Sequence, residues 1–173
     1  NASRCMVLWA RAKGLTADVI FETLAGLVRG RMNGRMVEVD LDYIETSIAM
    51  VSPGPPQVSM VNTGVPHLVV EVEDIGVWRE RLEDIQKWRW HSAVGIKGAN
   101  VTFLNKTGPG ALESVTFERG IEAFTLSCGT GVLAAASVEL ERTGSSGPVT
   151  VQTPGGRLEV SRIRSGLRLA GHA

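Results

Sequence analysis

A cysteine set among glycines is the sharpest chemical feature of the chain. Cys128 stands in the run TLSCGTG, directly before a segment with helical periodicity. The first turn of a helix leaves backbone N–H groups without partners and carries the positive end of the helix dipole, and both favour thiolate over thiol. Gly129 and Gly131 let a carboxylate approach those N–H groups while the sulfur reaches the adjacent carbon. A buried, inert cysteine beside a helix start explains these residues equally well, so both interpretations stay open.

Four other polar residues are candidates for such a site. Glu118 and Arg119 precede the cysteine and offer charges suited to an ammonium and a carboxylate, although an isolated Glu–Arg pair is ordinarily a surface ion pair worth ~0–1 kcal/mol. His67 follows Gly-Val-Pro at a predicted turn, where a lone histidine is more often structural or exposed. Asn100 begins an apolar strand and is either a ligand contact or a turn residue. These residues form no convincing His/Asn arrangement for hydrolysis by a cysteine nucleophile.

The composition argues against several classes of protein. The 173 residues carry 18 Lys+Arg and 18 Asp+Glu, a balance that argues against nucleic-acid binding. No apolar run approaches the ~20 residues of a membrane span. The two cysteines and three histidines never fall into metal-ligand spacing, and no Gly-rich Lys-Ser/Thr loop marks a phosphate site. Two cysteines fit a reducing compartment, so the expected location is cytoplasmic.

The sequence predicts three helices. The first covers residues 1–14 and ends at Gly14, the second is mixed in charge with Asp74 as its N-cap, and the third follows Cys128 and ends at Gly144. The i, i+3, i+4, i+7 spacing of the first helix predicts a buried face made of Cys5, Leu8, Trp9 and Ala12. The second helix should bury Trp78, Leu82 and Ile85.

Short β-rich segments fill most of the remaining sequence. They lie at residues 19–26, 35–44, 45–51, 58–73, 99–106, 114–120 and 148–163. The segment 58–73 predicts two strands joined by a turn at Asn62–His67, and the last segment predicts a hairpin. The run Pro53–Pro56 interrupts the pattern, and we expect a boundary there between residues 1–52 and residues 57–173.

A weak internal repeat underlies this layout. Each of the two glycine-terminated helices is followed by a strand that carries a threonine and then a glycine, at the same spacing. The corresponding residues are Gly14, Thr23 and Gly26 in the first copy, and Gly144, Thr153 and Gly156 in the second. Duplication of a helix-plus-sheet module would produce this pattern.

The motifs VNTGVPHLVV, GANVTF, TFERGIEAFTLSCGTG and VQTPGGRLEV together resemble the diaminopimelate epimerase family. The resemblance covers essentially the whole chain and implies an α+β fold of two pseudo-symmetric modules, each a curved, mostly antiparallel sheet wrapped around a central helix. It implies interconversion of LL- and meso-2,6-diaminopimelate, in lysine and peptidoglycan-precursor synthesis. Two thiols would exchange the α-proton on opposite faces, without pyridoxal phosphate or metal. The implied partners are the small amino-acid substrate and a second copy in a homodimer.

The resemblance also implies roles for individual residues. Cys128 would be a catalytic cysteine with His67 near its thiolate, and Gly129 and Thr130 would donate backbone N–H groups to the substrate carboxylate. Three further residues would bind the substrate: Asn100, Glu118 and Arg119. The asparagine usual before Pro-His is Val65 here, so the resemblance does not extend to that contact.

The start of the chain resembles the end of the family's other cysteine motif, Cys-Gly-Asn-x-x-Arg-Cys. By this match Asn1 is a substrate contact and Cys5 is a packing residue of the helix. The catalytic partner of Cys128 would lie two places before Asn1. We therefore expect residues 1–52 to be the second half of an N-terminal module and residues 57–173 to be the C-terminal module. The expected whole is a longer epimerase that also has a short C-terminal return.

Two other functions are consistent with the same residues. One is a racemase or isomerase of another amino acid on the same fold, which the Val65 departure keeps open. The other is a truncated, non-catalytic binding module, which would need no second thiol.

Overall fold

Four α-helices and twelve β-strands make up the computed structural model, which describes residues 2–15, 18–23, 26–41, 48–52 and 56–172. The helices are α1 (Ala2–Ala12), α2 (Ile75–Arg79), α3 (Leu82–Arg89) and α4 (Gly129–Thr143), with a 3-10 turn at Ser92–Val94. The strands are β1 (Val19–Thr23), β2 (Gly26–Asn33), β3 (Met36–Leu41), β4 (Ile48–Ser52), β5 (Val58–Asn62), β6 (Pro66–Glu71), β7 (Asn100–Gly108), β8 (Ala111–Glu118), β9 (Ala123–Thr125), β10 (Val149–Thr153), β11 (Gly156–Ile163) and β12 (Gly166–Gly171). The strand residues predicted at 42–47 lie outside the described residues.

All of these strands belong to one sheet. Its order is β1-β2-β3-β12-β11-β10-β8-β7-β6-β5-β4, and β9 pairs with β8. The pairs β6–β7 and β8–β10 are parallel, and the other pairs are antiparallel. This arrangement confirms the predicted α+β fold with a mostly antiparallel sheet.

The two copies of the internal repeat have equivalent strands and equivalent hydrogen bonds in the structure. Strands β1–β3 and β10–β12 have the same lengths, 5, 8 and 6 residues. In the first turn Thr23 Oγ1 donates to the Gly26 carbonyl at 2.8 Å, and in the second Thr153 Oγ1 donates to the Gly156 carbonyl at 2.9 Å. Both glycines have φ near +130°, a conformation that strongly favours glycine.

The two copies meet along a local two-fold axis between β3 and β12. Val39 and Leu169 are each the fourth residue of their strand, and they pair directly with each other. Strands related in this way bring equivalent residues of both copies to one place, so the helices α1 and α4 approach the same region from the two repeats.

Helix α4 is the central element of the larger apolar core. Its residues Gly131–Leu140 are all buried, and the core around them combines residues of β2 and β3 with residues of β7, β8 and β10–β12. A second apolar cluster packs α2 and α3 against β5–β8. The predicted boundary between residues 1–52 and 57–173 stays a prediction, because residues 53–55 lie outside the described part and the sheet and core include both sides.

The predicted buried face of α1 is wrong. Arg4, Val7 and Ala10 are buried, whereas Cys5 is exposed and Trp9 is 56% exposed. The reason is a close approach to β2, since a Cβ on Gly30 would lie 2.2 Å from Val7 Cγ2. The predicted stop at Gly14 is confirmed by the hydrogen bonds Gly14 N–H to Arg11 O and Leu15 N–H to Ala10 O, the pattern of a Schellman motif.

The helix predicted after Asp74 is two short helices. Asp74 caps α2 as expected, accepting a hydrogen bond from the Gly76 N–H at 2.7 Å. The helix is interrupted at Glu80–Arg81, and α3 begins at Leu82. The predicted burial of Ile85 is confirmed, and that of Leu82 is wrong because its side chain is exposed.

Candidate active site

Cys128 is the N-cap residue of α4. Its backbone is extended, with φ −113° and ψ 110°, and its carbonyl accepts the first helical hydrogen bond from Val132 N–H at 2.9 Å. The helix can begin this close to the sheet because residue 131 is glycine. A Cβ on Gly131 would lie 2.2 Å from Thr116 Oγ1 and 3.1 Å from Thr102 Oγ1. This glycine therefore serves the seating of the helix on β7 and β8, where the sequence had suggested a role in ligand approach.

A cavity of about 260 Å³ opens above the N-terminus of α4. The thiol side is formed by Ser127, Cys128, Gly129, Thr130 and Leu133, together with Glu118 at the end of β8. The cavity is also lined by Ser3 and Arg4 of α1, and by Val39 and Leu41 of β3 and Leu169 of β12. Because Val39 and Leu169 are the pair on the local two-fold axis, the cavity lies where the first turns of α1 and α4 face each other.

A buried polar network lies behind the cavity wall. The His67 side chain has no exposed surface, and Asn100 is 7% exposed. His67 Nε2 lies 3.0 Å from Thr130 Oγ1 and 3.2 Å from Asn100 Nδ2, and its Nδ1 lies 2.9 Å from Thr102 Oγ1. Thr130 Oγ1 in turn lies 3.3 Å from Cys128 Sγ. His67 thus reaches the thiol only through the threonine hydroxyl.

The electrostatics of the cavity favour the thiol form of Cys128. Burial raises the pKa of Cys128, hydrogen bonds from the Thr130 hydroxyl and the Gly131 N–H oppose that rise, and the Glu118 carboxylate adds to it. Burial and Glu118 thus act against the helix start, which by itself favours the thiolate. Burial, assisted by the charge of Arg119, lowers the pKa of His67 to about 3, so this imidazole is neutral near pH 7.

The loop after β8 is held in place by its own polar contacts. Glu118 accepts a short hydrogen bond from Thr125 Oγ1. The Arg119 N–H donates to Asn100 Oδ1 at 2.7 Å, and its Nη1 donates to the Gly98 carbonyl at 3.0 Å. Glu122, at φ +56°, accepts hydrogen bonds from the Gly120 N–H and from the buried Arg89. These contacts fix where Glu118 and Arg119 lie relative to the thiol.

The structure brings most of the predicted site residues together, in two layers. Cys128, Glu118, Gly129 and Thr130 line the cavity, while His67 and Asn100 form the layer behind it and Arg119 is anchored at its edge. The predicted contact Asn1 lies outside the described residues. Sequence reasoning missed Ser3, Arg4 and the threonines 102 and 130 as side-chain partners. The repeat was the available signal for the first two, because it places the first turn of α1 opposite that of α4.

Two absences hold for the part of the chain that the structure describes. No group of three or more His, Cys, Asp or Glu side chains there is placed to hold a metal ion. None of the described helices is long and apolar enough to cross a membrane.

Solved structures define the class of fold. A hydroxyproline epimerase from Agrobacterium vitis matches with a TM-score of 0.69 at 17% identity, covering 98% of this chain and 63% of that chain. A phenazine biosynthesis protein of the PhzF family from Enterococcus faecalis matches with a TM-score of 0.67 at 10% identity, covering 99% and 68%. The chain thus has the fold shared by these epimerase and PhzF proteins, and at such identities the likeness concerns the fold alone.

Sequence comparison then gives the family. Residues 59–168 match the family model described as diaminopimelate epimerase. Proteins of that name from Aquifex aeolicus and Methanothrix thermoacetophila are 36% and 48% identical to the chain, over 91% and 93% of its length. The chain belongs to the diaminopimelate epimerase family. It spans 59% and 62% of the length of these two relatives.

Proposed function

We propose that the chain serves a cofactor-independent amino-acid epimerase that interconverts LL- and meso-2,6-diaminopimelate, with Cys128 exchanging the α-proton on one face. The observation that carries this proposal is the thiol at the N-terminus of α4, which opens into a cavity beside a carboxylate in a chain of this family. A second acid–base group on the opposite face of the α-carbon completes such a reaction. The first turn of α1, which lines the same cavity, is the part of the chain that would lie towards that opposite face of the α-carbon.

The first turn of α4 suits a substrate α-carboxylate. The Gly129 and Thr130 N–H groups belong to the first turn, where no intrahelical acceptor exists, and they lie beside the thiol. Removal of the α-proton shifts negative charge onto this carboxylate. Donors that are already in place stabilise that charge without reorganising, which lowers the barrier to proton transfer.

Glu118 is suited to the substrate ammonium. It lines the cavity, and its charge is one reason why the pKa of Cys128 is raised. An ammonium bound there would neutralise this effect and make the thiolate easier to form once substrate is present. In the opposite direction the resting thiol is the proton donor to the carbanion. His67, Asn100 and Arg119 act from behind as the residues that fix Thr130 and the loop after β8.

Hydrogen–deuterium exchange at the substrate α-carbon tests the proposal. Each diaminopimelate stereoisomer is incubated with the chain in heavy water, and α-deuterium is measured by mass spectrometry. Exchange requires only the face that Cys128 serves, so it is a better readout than net inversion. We expect exchange that Cys128→Ala abolishes and that the matched variant Cys5→Ala retains, because Cys5 is exposed on α1. Exchange that survives Cys128→Ala contradicts the assignment, and exchange of another amino acid in place of diaminopimelate contradicts the substrate.

Location and assembly remain predictions. A cytoplasmic location is supported by two cysteines that are both free thiols. The homodimer implied by the resemblance can be checked by sedimentation of the purified chain.

A further inference from the structure

The protonation of His67 follows from its neighbours. The Arg119 N–H donates to Asn100 Oδ1 at 2.7 Å, which identifies the oxygen of that amide and turns its NH₂ group towards His67 Nε2, 3.2 Å away. An amide nitrogen only donates, so Nε2 must accept and carries no proton. A neutral imidazole then holds its proton on Nδ1, which donates to Thr102 Oγ1 at 2.9 Å.

The Thr130 hydroxyl therefore lies between two groups that differ in their hydrogen-bonding roles, His67 Nε2 and Cys128 Sγ. Nε2 of His67, 3.0 Å away, accepts and does not donate. The sulfur of Cys128, 3.3 Å away, donates as a thiol and accepts as a thiolate. A hydroxyl has one proton and two lone pairs. With the thiol it can accept from S–H and donate to His67, and with the thiolate its proton is attracted to the charged sulfur.

Asn100 makes it possible for the Thr130 hydroxyl to donate to the Cys128 thiolate. Nε2 has a single lone pair, and both Asn100 Nδ2 and Thr130 Oγ1 lie within hydrogen-bonding distance of it. When the threonine proton turns to the sulfur, the amide still satisfies the ring nitrogen. Leaving a fully buried acceptor without a donor is costly, and the Asn100 amide avoids that penalty.

We propose that the Thr130 hydroxyl is a two-position hydrogen-bond switch that follows the charge of Cys128, donating to His67 beside the thiol and to sulfur beside the thiolate. Only rotation about the Cβ–Oγ1 bond is involved. When the thiolate takes a proton from the substrate α-carbon, that proton stays on sulfur, the threonine keeps its own, and His67 stays neutral. Thr130 is therefore a positioning residue acting through Cys128, in addition to any role of its backbone N–H.

The inference rests on the proposed role of Cys128 but concerns the ionisation of a thiol, so it can be tested without substrate. The charged residues that line the cavity together with the thiol are Glu118 of β8 and Arg4 of α1, and both are unchanged in variants of Thr130. A missing α-proton exchange would contradict the proposed function and leave this test intact.

The first measurement is the alkylation rate of Cys128 by iodoacetamide as a function of pH, resolved by peptide mass spectrometry. Thr130→Val keeps the shape and removes the hydroxyl, and Thr130→Ser keeps the hydroxyl. A hydrogen bond to a charged group is worth about 1.5–3 kcal/mol, so we expect Thr130→Val to lower the rate near pH 7 about tenfold or more, and Thr130→Ser to stay within about threefold of the parent. The exposed Cys5 reports in the same digest and should not change.

Unchanged alkylation in Thr130→Val, or equal slowing in both variants, would overturn the proposal, because the hydroxyl would then have no specific effect. A second measurement needs no variant. In protein labelled with ¹⁵N-histidine, the His67 ring signals should show a neutral Nδ1–H tautomer on both sides of the thiol titration. Protonation of His67 in step with ionisation of Cys128 would show an imidazolium–thiolate pair and refute the switch.

Discussion

Replacing Gly131 with alanine tests how tightly the thiol is seated. The new Cβ would lie 2.2 Å from Thr116 Oγ1, whereas ordinary contacts begin at 3.4 Å, so the first turn of α4 and the β8 threonine must separate by about 1.2 Å. The threonine cannot rotate away freely, because its hydroxyl is hydrogen-bonded to Thr102 at 3.1 Å and is buried. A shift of this size also exceeds the slack in the 3.0 Å contact between Thr130 and His67.

Three terms set the expected loss of stability. Overpacking a well-packed core typically costs about 1–3 kcal/mol. Loss of the Thr130–His67 hydrogen bond costs about 0.5–1.5 kcal/mol. Replacing glycine in a helix returns about 0.5–1 kcal/mol. The free energy of unfolding of Gly131→Ala should therefore fall by about 2 kcal/mol, and the alkylation rate of Cys128 should change as the thiol leaves its position.

Urea denaturation and iodoacetamide labelling measure the two effects. The matched control is Gly108→Ala in β7, whose Cβ would meet its nearest neighbour at an ordinary 3.9 Å. The double variant Gly131→Ala/Thr116→Ala removes the clashing oxygen. Its loss in free energy of unfolding should therefore be smaller than the sum of the losses of the two single variants. Full stability of Gly131→Ala, or no coupling between the two sites, would refute the close seating of α4 on β8.

Three other predictions concern the frame around the site. Thr23→Val and Thr153→Val should each lower the free energy of unfolding by about 1 kcal/mol, because each removes an equivalent turn hydrogen bond, and unequal losses in denaturant melts would argue against equivalence. Burial would raise the pKa of Asp40, but two paired arginines outweigh it and lower that pKa. The resulting stability is present above the unfolded pKa of about 4 and is lost as pH falls through the folded value, so the Asp40→Asn variant should show a flatter acid limb of stability against pH. Gly30→Ala should cost about 1–3 kcal/mol through its clash with Val7, and Val7→Ala should rescue part of that loss in a double-mutant cycle.

The sequence predicts the parts of the fold that depend on local chemistry. The glycine ends of α1 and α4 and the repeated spacing of threonine and glycine depend on local backbone conformation, and these predictions hold. The buried face of α1 could not be found in the same way. Its periodicity fits two faces, and the choice between them depends on Gly30, which is distant in sequence and has no side chain to reveal the contact.

The candidate site likewise has features that depend on local sequence, which could be predicted, and features that depend on tertiary packing, which could not. Cys128 and the glycines around it are visible in sequence because their chemistry is local. The direction of the thiol pKa is not, because it depends on how deeply α4 is buried and on Glu118 from another element. Nor does the sequence show that His67 and Asn100 belong to one network, since they come from separate strands whose parallel pairing sets His67 beside Asn100.

The position of α4 explains why such a network is needed. A helix buried along Gly131–Leu140 gives the fold its core, yet it also places the thiol at its N-terminus in a poorly hydrated environment, where a charge is costly. The helix start alone supplies too little compensation, since burial still dominates the pKa of Cys128. The neutral His67, held by Asn100 and Thr102, gives the Thr130 hydroxyl a partner while sulfur is protonated and can release it when sulfur is charged. The polar layer behind the cavity thus reduces the cost of ionising a thiol that the fold itself has partly buried.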